Sequence, residues 1–241
     1  MSTKRLRIRF SKQGKVRFTS HRDVARIWER ALRRAGVPVA YSAGFSPRPK
    51  ISFGLALSTG YSSDAEYLDV EVDAAWSAGI DNKTLVGTLT ASLPAGMTAL
   101  AVCDLAPGEP SLQHAVTSCT WRIDASGADA EAVSEELSQA MACRELLVQR
   151  ERKGRLATDN IRPAVLGVEV QGNITDGVRL IAELGTQPRA VRPAELLESL
   201  QSPLRLLRAC RLHQWIATDD TERREPLAVA ELSVAGAGAV T

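Results

Sequence analysis

The sequence predicts an α+β protein made of two similar halves. Three observations carry this. Alternating apolar and polar residues mark strands in both halves. Apolar residues at helical spacing mark helices between them. The order strand, helix, strand, strand, helix, strand is approximated twice, on either side of a PGEP break at residues 107–110.

Each element has a local cause. In residues 4–10 (KRLRIRF), Leu6, Ile8 and Phe10 fall on one face and Arg5, Arg7 and Arg9 on the other. That predicts a half-buried strand with a basic outer face. Residues 11–14 (SKQG) read as a turn, and 15–18 as a short return strand. Residues 20–35 are the clearest helix. Ser20 and Asp23 form an S-x-x-D start, and Val24, Ile27, Trp28, Ala31, Leu32 and Ala35 form its apolar stripe. Gly36 and Pro38 end it. Glycines and prolines break residues 41–54 into an irregular loop. Strand 66–72, helix 81–92 and strand 97–104 complete the first half.

Beyond the break, strand 115–124, an acidic helix at 129–143 and strand 145–151 lead into a basic turn at 150–155. Residues 159–163 are assigned no geometry. Strands 165–171 and 177–184 precede a helix at 193–200 with proline in its first turn. Residues 206–217 read as a last strand, with a helix as the alternative. A repeated split βαβ unit is the ferredoxin-like arrangement. The expected fold is therefore two tandem ferredoxin-like (βαββαβ) halves with antiparallel sheets. Residues 1–106 hold the N-terminal half with its basic helix and Gly/Pro loop, 107–114 a linker, and 115–218 the C-terminal half. Residues 219–241 read as a disordered tail.

Composition narrows the function classes. The chain has 241 residues, 44% hydrophobic and 24% charged, which suits an ordinary globular core. No run of eighteen apolar residues exists, so no membrane span is expected. The stretch MSTKRLRIRF puts charge where a signal peptide needs apolar residues. Cys103, Cys119, Cys143 and Cys210 lie far apart, without metal-ligand spacing. They read as reduced thiols, and the expected location is cytoplasmic. The net charge of +2 conceals an asymmetry. Residues 1–50 carry fourteen Lys/Arg against Asp23 and Glu29, while the remainder is net acidic. Either the acidic remainder neutralises this segment on the folded surface, or it meets an anionic partner.

The candidate site follows from that asymmetry. Arg22, Arg26, Arg30 and Arg33 recur at three- and four-residue spacing, which stacks four cations on one helix side. Their repulsion calls for a counter-charge in the protein or a ligand. Arg48 and Lys50 follow in the Gly/Pro loop, with Tyr41 and Phe45 as candidates to stack on a base. Phe45 and Phe53 share a second reading, insertion into the core. Arg152, Lys153, Arg155 and Arg162 form a second basic cluster. His21, beside the helix N-terminus, is the one weak catalytic candidate, as a general base. His114 and His213 read as structural. Asp64, Glu66, Asp69 and Glu71 read as exposed by strand alternation. There is no P-loop, strand-linked GxGxxG or G-x-S-x-G elbow.

The stretch SHRDVARIWERALRRAGVPVAYSAGFSPRPKISFGLALSTGYSSDAEYLDVEV resembles the radical SAM-linked protein family of bacteria. These are domains of unknown function found beside or fused to a radical SAM protein. The resemblance is strong over residues 4–72, with a weaker echo at 148–163. It implies a radical SAM enzyme as partner. A radical enzyme needs clustered cysteines, absent here, so it places the iron–sulfur cluster and S-adenosylmethionine in that partner and no cofactor in this chain. The reading that results is a non-catalytic accessory that binds tRNA or rRNA and presents it for modification. The alternatives are a stand-alone RNA-processing enzyme with His21 as base, and a protein-docking adaptor without RNA binding.

Overall fold

A computed structural model of the chain describes residues 2–152, 154–202, 204–218 and 222–227. The first half contains β1 (Thr3–Lys12), α1 (His21–Arg34), β2 (Ile51–Phe53), β3 (Ser62–Asp73), α2 (Ala74–Ala78), α3 (Asn82–Ser92) and β4 (Met97–Asp104). A short α4 (Leu112–Ala115) precedes β5 (Ser118–Ser126) and α5 (Ala130–Ala142). Then come β6 (Leu147–Arg152), β7 (Arg155–Asn160), β8 (Val165–Ile174), β9 (Gly177–Gly185), α6 (Pro193–Glu198), β10 (Arg205–Ala217) and β11 (Arg223–Arg224).

The architecture is α+β with a mostly antiparallel sheet. Nine strands form one sheet in the order β4-β1-β3-β10-β5-β9-β8, with β2 on β3 and β11 on β10. The strands of the two halves thus share a sheet rather than forming separate ones. The seam is the β3–β10 contact, which pairs Cys210 with Ser62 and Arg211 with Ser63 in parallel. All other pairings are antiparallel. The β6–β7 hairpin stands apart from the sheet.

Register places the long helices on one face. Leu6, Ile8 and Phe10 of β1 meet Val24, Trp28 and Leu32 of α1 and Leu85 and Leu89 of α3. Trp28 is fully buried, edge-on to Phe10 with ring centroids 4.9 Å apart. Each such large apolar side chain contributes roughly 1.5–3 kcal/mol. Ser20 caps α1 by accepting from the Asp23 N–H, as the S-x-x-D start predicts. Glu66 lies opposite Phe10 and pairs with Arg211, which sits over Trp121. Trp121, Ile123 and Ala125 share that face by alternation and join Val133 and Leu137 of α5 and Leu196 and Leu197 of α6 in one core.

The opposite face carries the main corrections. Arg7 and Arg9 are buried rather than forming a basic outer face. Arg7 donates from Nε and Nη2 to both Asp69 oxygens at 2.7 and 2.9 Å, and from Nη1 to Pro226 O at 3.0 Å. Arg9 donates to Glu225 at 2.6 Å. The chain itself supplies the cover. The connection 105–117 runs from β4 to β5 across three strands, roughly 19 Å at strand spacing, and Arg5 holds it through Glu109 O. Residues 222–227 lie over the same face, with Leu227 buried. The tail expected to be disordered from 219 is therefore ordered at 222–227, while 219–221 and 228–241 lie outside the described residues.

Smaller differences have equally local reasons. Residues Gly14–Phe18 form a 3-10 turn and not a return strand, since Gly14 at φ 61° reverses the chain and none of the five is buried. The linker contains α4, whose Leu112 is buried. The basic turn is the tip of the β6–β7 hairpin. Glu66 and Asp69 are buried in ion pairs with Arg211 and Arg7, not exposed. His213 Nδ1 lies 2.6 Å from Glu225. No helix among the described residues is long and apolar enough to cross a membrane.

Candidate nucleic-acid interface

The buried stripe of α1 (Val24, Trp28, Ala31, Leu32) turns Arg22, Arg26, Arg30 and Arg33 to solvent, where all four are exposed. Arg26 lies 3.6 Å from Asp23 one turn away. Arg22, Arg30 and Arg33 make no ion pair among the described residues. The counter-charge that the spacing demands is thus largely absent from the fold around them.

The chain then turns into a hairpin at 41–50. Tyr41 bridges to Pro49, the Ser42 N–H donates to Arg48 O at 2.9 Å, and the Arg48 N–H donates to Ser42 Oγ at 3.0 Å. Gly44 at φ 130° makes the reversal. Phe45 sits at the tip with a relative accessibility of 109%, and Tyr41 is 56% exposed. A large apolar ring so exposed gains nothing for folding, and it is available to stack. Phe53 takes the other course: half-buried, it lies edge-on to His21 with ring centroids 5.4 Å apart. Arg48 is exposed, whereas Lys50 is tied to Glu71 at 2.7 Å. β2 and Val39 both pair with β3, and His21 at the start of α1 packs on Phe53 of β2, so the hairpin springs from a strand beside the N-terminus of α1.

His21 has no hydrogen-bonded carboxylate or second imidazole among the described residues. The recess beside it, with Lys12 and Glu66 in its wall, holds only ≈ 10 Å³. Burial lowers the Lys12 ammonium from its ordinary range, opposed by Glu66, and its Nζ donates to Thr19 O.

The second basic cluster divides. Arg155 is exposed on the β6–β7 hairpin. Lys153 and the Arg152 side chain lie outside the described residues. Arg162 is engaged internally: it donates to Met141 O at the end of α5 at 2.7 Å and to Val165 O at 3.2 Å. Leu147 (55% exposed) and Leu156 (78%) flank this hairpin, a pair of apolar residues the sequence did not single out.

A cleft of ≈ 570 Å³ separates this hairpin from residues 55–58 of the first half. Arg150, Arg189, Arg192 and Arg211 line it beside Tyr61 and Trp121. Arg150 and Arg189 share Asp159, Arg189 also pairs with Glu195 at 2.9 Å, and Arg211 pairs with Glu66 at 2.9 Å. Only Arg192 lacks such a partner among the described residues. Burial pushes the Tyr61 hydroxyl above its ordinary pKa, and the Cys119 thiol up to about 11, which leaves that thiol inert. These arginines come from three segments, β6, the connection from β9 to α6 and β10, so no local spacing could have revealed the set. Leu55 and Leu57 border both this cleft and the recess at His21.

Among the described residues no group of three His, Cys, Asp or Glu side chains is placed to hold a metal ion. No curated protein matches the chain. Residues 5–193 match the model of a family described as "Uncharacterized protein conserved in bacteria". That description names no radical enzyme. The match covers well over half of the sequence, and the chain belongs to this uncharacterised bacterial family, DUF2344.

Proposed function

We propose that the protein is a non-catalytic RNA-binding factor that presents tRNA or rRNA to a modifying enzyme in the cytoplasm. One observation carries the reading: Phe45 stands fully exposed at a hairpin tip beside Arg48, in the same half as the exposed arginine row of α1, of which only Arg26 has an acidic partner among the described residues. Guanidinium groups on phosphates with an aromatic ring on a base is the usual arrangement for single-stranded RNA. The resemblance of residues 4–72 to radical SAM-linked proteins suggests a radical SAM enzyme as the partner, with the cluster and S-adenosylmethionine held there.

We also propose that each half is ferredoxin-like. The orders β4-β1-β3-β2 and β10-β5-β9-β8, antiparallel within each half, support it, with the β6–β7 hairpin as an insertion in the second. Fold alone assigns no activity. A protein-docking role draws on a different observation, the exposed Leu147 and Leu156 beside Arg155. There the hairpin would face the partner enzyme while α1 faces RNA.

The test is binding of total tRNA and rRNA fragments across a salt series by the wild type and an Arg26→Ala/Arg30→Ala variant. Each lost phosphate contact lowers the logarithmic salt slope by about 0.7 on single strands. The expected loss is about 1.4, with weaker binding at every salt concentration. Unchanged affinity and slope would remove α1 from the interface.

A further inference from the structure

The face of the sheet opposite the helices is covered over the first half by the connection 105–117 and residues 222–227. Over the second half it carries a charged recess. The recess holds ≈ 300 Å³ and lies at the seam between the halves. Arg122, Arg179 and Arg208 line it from β5, β9 and β10, and Arg17 from the 3-10 turn of the first half. Register explains the convergence. Arg179 and Arg208 both pair across strands with Asp124, and Arg122 lies opposite Cys210. Directly opposed residues stand about 4.5–5.5 Å apart, so these side chains crowd one patch.

Asp124 is the single carboxylate in the wall. It is 7% exposed and fully engaged, accepting from Arg179 Nε and Nη2 at 2.7 and 3.0 Å. That hydrogen bonding, with the charges of Arg179, Arg122 and Arg208, outweighs burial and holds its carboxyl below the usual range. Asp64 stands behind Cys210, taken up by Gln13 at 2.6 Å. Arg17 donates only to Gly14 O. Arg122 and Arg208 have neither an ion pair nor a hydrogen-bond acceptor among the described residues. Four guanidinium groups therefore share one carboxylate. In the cleft on the helical face, by contrast, three of four arginines are paired with acids. Burial raises the Cys210 thiol, so the one nucleophilic group here is unreactive.

We infer that this recess is a phosphate-binding site, built from Arg17, Arg122, Arg179 and Arg208 across the seam. Guanidinium forks match phosphate oxygens, and a dianion relieves the mutual repulsion of the unpaired cations. The volume is at the small end for ligand sites, suited to one phosphate group with its ester substituent. That group belongs either to a small phosphate ester or to an RNA backbone. The inference does not rest on the RNA reading of α1, which lies on the opposite face.

The experiment is calorimetric titration of the full chain with inorganic phosphate, pyrophosphate and a short single-stranded RNA. It compares wild type, Arg122→Gln/Arg208→Gln and, as the α1 control, Arg26→Ala/Arg30→Ala. Neither glutamine substitution removes an ion pair, and the single Arg208→Gln change at an exposed position serves if the double variant fails to fold. Saturable pyrophosphate or phosphate binding, weakened about tenfold or more in the recess variant and unchanged in the control, establishes the site for a small phosphate. Loss confined to RNA in the recess variant establishes it for a backbone phosphate. Equal binding of all three probes by the wild type and the recess variant, or no binding of any probe, overturns the inference. Failure of the α1 reading shows separately, as RNA binding that the control variant does not alter.

Discussion

Glu225 tests whether residues 222–227 are part of the fold. Its carboxylate accepts from Arg9 at 2.6 Å and lies 2.6 Å from His213 Nδ1, with a side chain 18% exposed. Glu225→Gln keeps the shape and removes the charge, so the Arg9 guanidinium loses its counter-charge and the His213 bond loses its ionised acceptor. The difference is about 1 kcal/mol for each, or about 2 kcal/mol together. For a chain of this size that lowers Tm by about 4–8 °C. The pH dependence adds a second constraint. Burial alone would raise the Glu225 carboxyl, but the hydrogen bond from His213 and the charge of Arg9 outweigh it and hold it below the ordinary range. A lowered folded value means that the stabilisation is present above the unfolded carboxylate range and is lost as pH falls through the folded value. The gap between wild type and variant should therefore be full at neutral pH and close below about pH 4. Differential scanning calorimetry across that range reads both, with exposed Glu222→Gln as the neutral control. A neutral-pH difference within about 1 °C, or a gap that persists in acid, would refute the reasoning.

Two further outcomes are expected. Phe45→Ala should leave Tm unchanged, because the ring is fully exposed, and should weaken RNA binding by about 1–3 kcal/mol, the worth of one stacked base; fluorescence anisotropy and a thermal melt decide it together. Gly177→Ala should destabilise by about 3 kcal/mol or more, because φ is 156° and an added Cβ collides with the Ala125 carbonyl on the neighbouring strand; a urea unfolding curve with an unshifted midpoint would contradict that packing.

Much of the fold was legible because its signals are local. The stripe of α1, its Ser20 cap and the alternation in β1 and β9 each need only a dozen neighbouring residues to be read. Residues 206–217, read as a strand with a helix as the alternative, are β10, because that strand sits between β3 and β5 and gains partners on both sides. Alternation in β1 separated the apolar face from the arginine face correctly. It could not say that the arginine face is also covered, since Asp69 and Pro226 lie 62 and 219 residues from Arg7. The basic surface of α1 was readable from spacing alone. The arginine recess was not, since its walls come from β5, β9, β10 and the 3-10 turn of the first half.

The sequence by itself determined most of the element types, the charge asymmetry and the exposed arginine row of α1. These depend on the period of side chains along one segment, which the chain carries locally. The tertiary structure decided which aromatic is free and which cations are paired. Phe45 and Phe53 have similar neighbours in sequence, yet one stands in solvent and the other packs on His21. Arg7 and Arg208 both extend from strands, yet one is sealed against Asp69 and the other faces the open half of the sheet. An ion pair or a buried ring needs a partner brought from elsewhere in the chain, and only the folded sheet sets who that partner is.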